Sequence, residues 1–132
     1  MHVSTFGISE AAELLGVSAD TVRRWVDSGK LSAEREPNGH RRVDGADLAA
    51  FAAAHRDTAE QERAGALSSA RNRFRGIVTQ VVRDGVMAQV EIQAGPHRVV
   101  SLMSREAADQ LGLQVGTVAV AVVKSTNVVV EL

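Results

Sequence analysis

The sequence predicts two small domains of different class, an α-rich one followed by one dominated by β-strands. Three observations carry that division. Residues 8–54 hold apolar side chains at helical spacing, punctuated by Ser, Asp and Gly. Residues 74–132 hold Val-rich runs that often alternate with polar residues, with Asp84-Gly85 and Gly95-Pro96 marking the first turns. Between them lies a polar, alanine-rich segment poor in large apolar residues. The expected boundaries are 1–56 for the first domain, 57–67 for a linker or helix extension, and 68–132 for the second. A chain of 132 residues has room for two such domains.

In the first half, Ser9 is the expected N-cap of a helix over EAAELL, with Gly16 as its stop. Ser18 caps ADTVRRWVDSG, and Gly29 ends it. Val22, Trp25 and Val26 stand at i, i+3 and i+4, so they form one apolar face, and Trp25 is read as core. Thr21, Arg23 and Arg24 fall largely off that face. LSAEREPNGHRRV reads as two short strands around a Pro-Asn-Gly turn. Asp47 is the expected cap of a third helix, DLAAFAAAHRD, continuing into TAEQERAGAL.

Helix, GVS turn, helix is the layout in which a second helix enters the DNA major groove. Arginine suits that place because its planar fork pairs with guanine or clamps phosphate. The following hairpin holds Arg35, Asn38, His40, Arg41 and Arg42 and can act as a wing on backbone or minor groove. ISEAAELLGVSADTVRRWVDSGKL, PNGHRRV and DLAAF, over residues 6–54, resemble the MerR-type and excisionase-type winged helix-turn-helix modules. The resemblance implies double-stranded DNA as partner, contacted by Thr21, Arg23, Arg24, His40, Arg41 and Arg42. Arg35 joins them by its place on the same hairpin. MerR-type regulators continue into a long dimerising coiled coil, and residues 55–68 are too short and too polar for one.

In the second half, FRGIVTQVV, VMAQVEIQ, HRVVSLM, TVAVAVV and NVVVEL are the expected strands. SREAADQLGL, 104–113, is a Ser-capped short helix ended by Gly112. Five strands with one helix between the third and fourth predict a small barrel of the oligonucleotide/oligosaccharide-binding (OB) type. SSARN, SLMSREAADQLGL, the Gly of QVG and VVKSTNVVV together resemble the Mop/TOBE domain of molybdate-binding proteins, over residues 68–132. A tetrahedral dianion such as molybdate has only acceptor oxygens, so it needs hydroxyls, backbone N–H groups and positive charge. Ser69 and Ser125 supply hydroxyls and Lys124 a cation. Ala70 and Arg71 lie where N–H groups are not yet committed to a strand, and Ser104 caps a helix. The resemblance implies a molybdate or tungstate site between subunits, built by Ser69, Ala70, Arg71, Ser104, Lys124 and Ser125. Ser104 stands where relatives have threonine, Ala107 where a serine is usual, and Lys124-Ser125 where Lys-Ala is commoner.

Net charge is −1, but residues 21–42 hold six basic and three acidic side chains. The acidic total argues against indiscriminate nucleic-acid binding and leaves a local basic patch intact. Zero cysteines exclude disulfides and thiolate catalysis. His2, His40, His55 and His97 show no metal-ligand spacing, and no nucleophile–base pattern or phosphate-binding glycine loop emerges. An enzyme is not expected, nor a membrane span or signal peptide, so a cytoplasmic protein is the default. The expectation is a DNA-binding regulator responsive to molybdate or tungstate, at least a dimer, with a hexamer possible. Storage of the oxyanion, or a barrel serving only oligomerisation, are the alternatives.

Overall fold

A computed structural model describes residues 4–56 and 68–132 of the chain. It divides between Asp57 and Thr58 into two compact units. The expected linker, 57–67, and the expected continuation of the third helix lie outside the described residues.

The first unit opens with a strand that sequence reading did not anticipate. This β1, Thr5–Gly7, pairs antiparallel with β3, Arg41–Asp44, and β3 also pairs with β2, Glu34–Arg35. The strand order is β1-β3-β2. Helix α1, Ile8–Leu15, follows at once, so its N-cap is Gly7 and not Ser9. The ladder brings the chain into the helix two residues early. Ser9 falls in the first turn, and Glu10 Oε1 accepts from the Gly7 N–H at 3.4 Å. Gly16 ends α1 in the left-handed conformation, as expected. Ser18 caps α2, Ala19–Asp27, by accepting from the Thr21 N–H at 3.2 Å.

The third helix, α3, spans Gly45–Ala54 with Asp44 at its N-cap position, so Asp47 is not the cap. Its start is fixed by β1. The Gly45 N–H donates to Ser4 O at 2.8 Å, and a Cβ at Gly45 would stand 2.9 Å from the same oxygen. Asp47 then lies in the first turn, where its charge suits the helix N-terminus. Ala11, Ala12, Val22, Leu31, Val43, Leu48 and Phe51 form the core, with Trp25 and Val26 packed against it. Trp25 meets Phe51 at a centroid distance of 4.8 Å, which is the core role expected of it.

The second unit is a curled antiparallel sheet. Its strands are β4, Asn72–Arg83, β5, Met87–Ala94, β6, His97–Ser104, and β7, Val118–Val123, in the order β6-β5-β4-β7. A bulge between Val78 and Gln80 bends β4. Helix α4, Arg105–Gln110, is capped by Ser104 and buries Ala108. The core is Val78, Ala88, Val90, Ile92, Ala108 and Leu113. Strand β5 buries every second residue from Ala88 to Ala94, the period-2 pattern that the sequence carries.

The fifth expected strand, NVVVEL, forms no ladder among the described residues. After β7 the chain makes a 3-10 turn at Ser125–Asn127, closed by Asn127 N–H to Lys124 O at 2.9 Å. Val128 leaves that turn in an extended conformation. Val129 and Val130 are more than four-fifths exposed.

Candidate functional sites

In the first unit the sequence-expected DNA contacts gather around one concavity of about 690 Å³. Arg23, Arg35, His40, Arg41 and Arg42 line it, beside the Gly7–Glu10 start of α1. Thr21 and Arg24 are not among its lining residues and lie on α2. Most of these cations already have partners. Arg23 Nη1 is 2.7 Å from Asp20 Oδ1, one turn earlier on the same helix. Arg24 Nη2 donates to Thr21 Oγ1 at 3.2 Å. Arg41 Nη1 reaches Asp27 Oδ1 at 2.6 Å and so ties the hairpin to α2.

Arg42 is the most engaged. Its guanidinium donates to Thr5 O at 2.9 Å and to Thr5 Oγ1 at 3.1 and 3.3 Å. Glu10 and Glu36 lie at 3.7 and 3.6 Å. Arg42 therefore joins β1, α1 and the β2–β3 hairpin, a structural duty that its place in a basic hairpin did not reveal. His40 sits at the exposed turn, where its N–H donates to Asn38 Oδ1 at 3.0 Å.

In the second unit the register of one strand pair brings most of the expected oxyanion residues together. Asn72 opens β4 and pairs with Val123, the last residue of β7. Ser69, Ala70 and Arg71 therefore lead into the ladder where Lys124 and Ser125 leave it. Asn72 Nδ2 donates to Val123 O at 3.0 Å and pins the two segments. Sequence reading left Asn72 out of the site. The signal was its place at the first position of a strand, where a side-chain amide can reach the neighbouring strand's carbonyl.

The electrostatics suit an anion. Residues 68–83 contain no carboxylate and four arginines, and residues 110–130 contain no carboxylate and one lysine, Lys124. The local donors are not all idle, however. The Ala70 N–H, expected to be uncommitted, donates to Ser68 Oγ at 3.1 Å. Arg71 Nη1 donates to Ser68 O at 3.0 Å and to Ala70 O at 3.3 Å.

Ser104 stands apart. It pairs with Met87, whose neighbour Ala88 pairs with Arg83 at the far end of β4. From Asn72 to Arg83 is about 36 Å along the strand. Ser104 Oγ accepts from the Ala107 N–H at 3.1 Å, so its hydroxyl serves as the helix cap.

The family model described as a TOBE domain matches residues 68–130, and the one described as a helix-turn-helix domain matches residues 5–56. The chain is 40% identical over 63 residues to molybdenum-pterin-binding protein 3 of Clostridium pasteurianum, covering 47% of this chain and 93% of that protein. It is 38% identical over 63 residues to the molybdenum transport protein ModE of Herbaspirillum seropedicae, but spans only 23% of that protein's length. Among solved structures, MopII from Clostridium pasteurianum aligns at 35% identity over 49% of this chain and 98% of its own, with a TM-score of 0.47.

Proposed function

We infer, for a chain that belongs through residues 68–130 to the TOBE domain family, that it is a cytoplasmic, oxyanion-responsive DNA-binding regulator. The first unit reads double-stranded DNA with α2 and with the β2–β3 hairpin as a wing, in the manner of an excisionase-type module. The second binds molybdate or tungstate. The observation that carries the reading is the Asn72–Val123 pairing, which sets Ser69–Arg71 beside Lys124–Ser125 in a stretch free of carboxylates. Hydroxyls and cations without competing acids are what a tetrahedral dianion requires.

The site is completed by a second copy of the chain. Ser104 lies at the other end of the sheet from Lys124, so one subunit does not supply all six residues to one anion. The exposed Val128–Leu132 tail and the unpaired edges of β6 and β7 favour such an assembly. A dimer is the minimum unit, and it matches paired DNA half-sites. Regulation then requires that liganded and unliganded assemblies differ in DNA affinity.

Calorimetric titration of the full chain with molybdate, tungstate and sulfate tests this reading, paired with DNA-binding measurements with and without molybdate. Saturable binding of molybdate or tungstate but not sulfate, with altered DNA affinity, is expected. Absence of binding by calorimetry and by equilibrium dialysis would reduce the second unit to an oligomerisation module.

A further inference from the structure

Ser68 belongs to none of the expected ligand contacts, yet it holds two of them. Its hydroxyl oxygen takes the Ala70 N–H at 3.1 Å, and its carbonyl takes Arg71 Nη1 at 3.0 Å. We propose that Ser68 is a positioning residue that competes internally with the oxyanion, occupying the Ala70 and Arg71 donors until the anion displaces it. The proposal rests on the reading of residues 69–71 as part of the oxyanion site.

The competition follows from the donors. A backbone N–H has one hydrogen, and it cannot make two good hydrogen bonds at once. A dianion's oxygen is a stronger acceptor than a neutral hydroxyl or carbonyl, so displacement runs toward the ligand. The net gain is nevertheless smaller by whatever the internal bonds contribute. The Ala70 N–H turns from Ser68 Oγ to the anion. Arg71, which spends its Nη1 on Ser68 O and Ala70 O, swings outward to do the same.

A second consequence concerns the chain itself. Ser68 directly follows residues 57–67, the linker expected from the sequence. Both described hydrogen bonds of Ser68 come from residues that the anion would claim. Anion binding and release of Ser68 are therefore one equilibrium. An event at Ser69–Arg71 is felt at Ser68, next to the expected linker, with no rearrangement of the sheet.

Ser68→Ala tests the competition. The substitution removes the acceptor for Ala70 and leaves every residue of the expected site in place. Measured calorimetrically on the full chain with molybdate as the probe, it should tighten binding by about two- to tenfold. Ser68→Thr restores a hydroxyl acceptor and should return the affinity of the original chain. The Ala70 amide should exchange with solvent faster in Ser68→Ala than in the original chain when no molybdate is present. Unchanged or weaker binding in Ser68→Ala, or a Thr variant that behaves like the Ala one, would overturn the proposal. If the original chain itself bound no molybdate or tungstate, the site reading would fail first. That result is distinct from binding that Ser68 does not modulate.

Discussion

Gly76→Ala sets two effects of opposite sign against each other. An alanine in a strand interior is favoured over glycine by about 0.5–1 kcal/mol, because glycine loses more backbone freedom on folding. By that effect alone the variant would be more stable. At Gly76, however, an added Cβ would lie 2.3 Å from Gln93 O, 2.7 Å from Gln93 C and 2.9 Å from Ala94 Cα. All three are backbone atoms of β5, so no side chain can swing aside. Ordinary contact begins at 3.4 Å. Strands β4 and β5 must therefore part by about 1 Å beside the Ile77–Gln93 pair, at the site-bearing end of the sheet. Forcing such a shift costs about 1–3 kcal/mol or more, which exceeds the propensity gain. For a domain of this size the melting temperature should fall by about 5–15 °C. Thermal melts followed by far-UV circular dichroism would report the loss. Trp25, the single tryptophan, lies in the other unit, so its fluorescence serves as an internal control and should not move. A second unit of equal or greater stability would refute the steric reasoning and show that the β4–β5 crossing yields at little cost.

Four further outcomes follow from individual residues. Arg24→Ala should lower the slope of log affinity against log salt by about one on DNA, without altering stability. Arg42→Ala should instead lower the first unit's stability by about 1–3 kcal/mol, read by urea denaturation through Trp25 fluorescence, because its bonds to Thr5 vanish. Lys124→Ala should weaken molybdate binding by about five- to tenfold in calorimetry while the melting temperature stays put. Asp84 sits below the ordinary aspartate value of 3.8 because its carboxylate accepts from the Met87 and Val86 N–H groups at 2.7 Å each. A carboxyl lowered on folding stabilises fully above its unfolded value, and that stabilisation disappears as pH falls through the folded value. Urea midpoints of the second unit should therefore fall from about pH 5 downward, and Asp84→Asn should flatten that limb.

Much of this architecture is legible in the sequence because it depends on local rules. The Ser18 cap, the Gly16 stop, the Val22–Trp25–Val26 face and the alternation of β5 each need only a few neighbouring residues. What escaped sequence reading depends on distant pairing. Strand β1 is three residues long and exists because Arg42–Asp44 lie alongside it. Its presence moves the N-cap of α1 from Ser9 to Gly7, and that of α3 from Asp47 to Asp44. NVVVEL has every local mark of a strand, but a ladder needs a neighbour, and after the turn at Ser125–Asn127 it pairs with none of the described strands. In the candidate site, residue types named the chemistry, while register decided which of them meet. Asn72 opposite Val123 joins the loop to Lys124–Ser125, whereas Ser104, equally well marked by its motif, is carried to the other end of β4.

The two candidate sites share a physical trait that bears on selectivity. In each, donors of the expected site are already engaged within the chain: Arg23 by the Asp20 carboxylate, Arg41 by the Asp27 carboxylate, the Ala70 N–H by the Ser68 hydroxyl. Such donors gain only the difference between the new acceptor and the old one. A dianion offers charge that the Ser68 hydroxyl does not, so it wins that exchange, whereas a phosphate at Arg23 or Arg41 competes with a carboxylate that is itself charged. A stray neutral acceptor gains nothing. With a net charge of −1, the chain lacks the long-range pull that would hold it on arbitrary DNA. If these residues are the contacts, as proposed, binding rests on several displacements made together, which a correctly shaped partner permits. On the proposed reading, the same internal partners retake the donors once that partner leaves, a trait that suits a sensor better than a store.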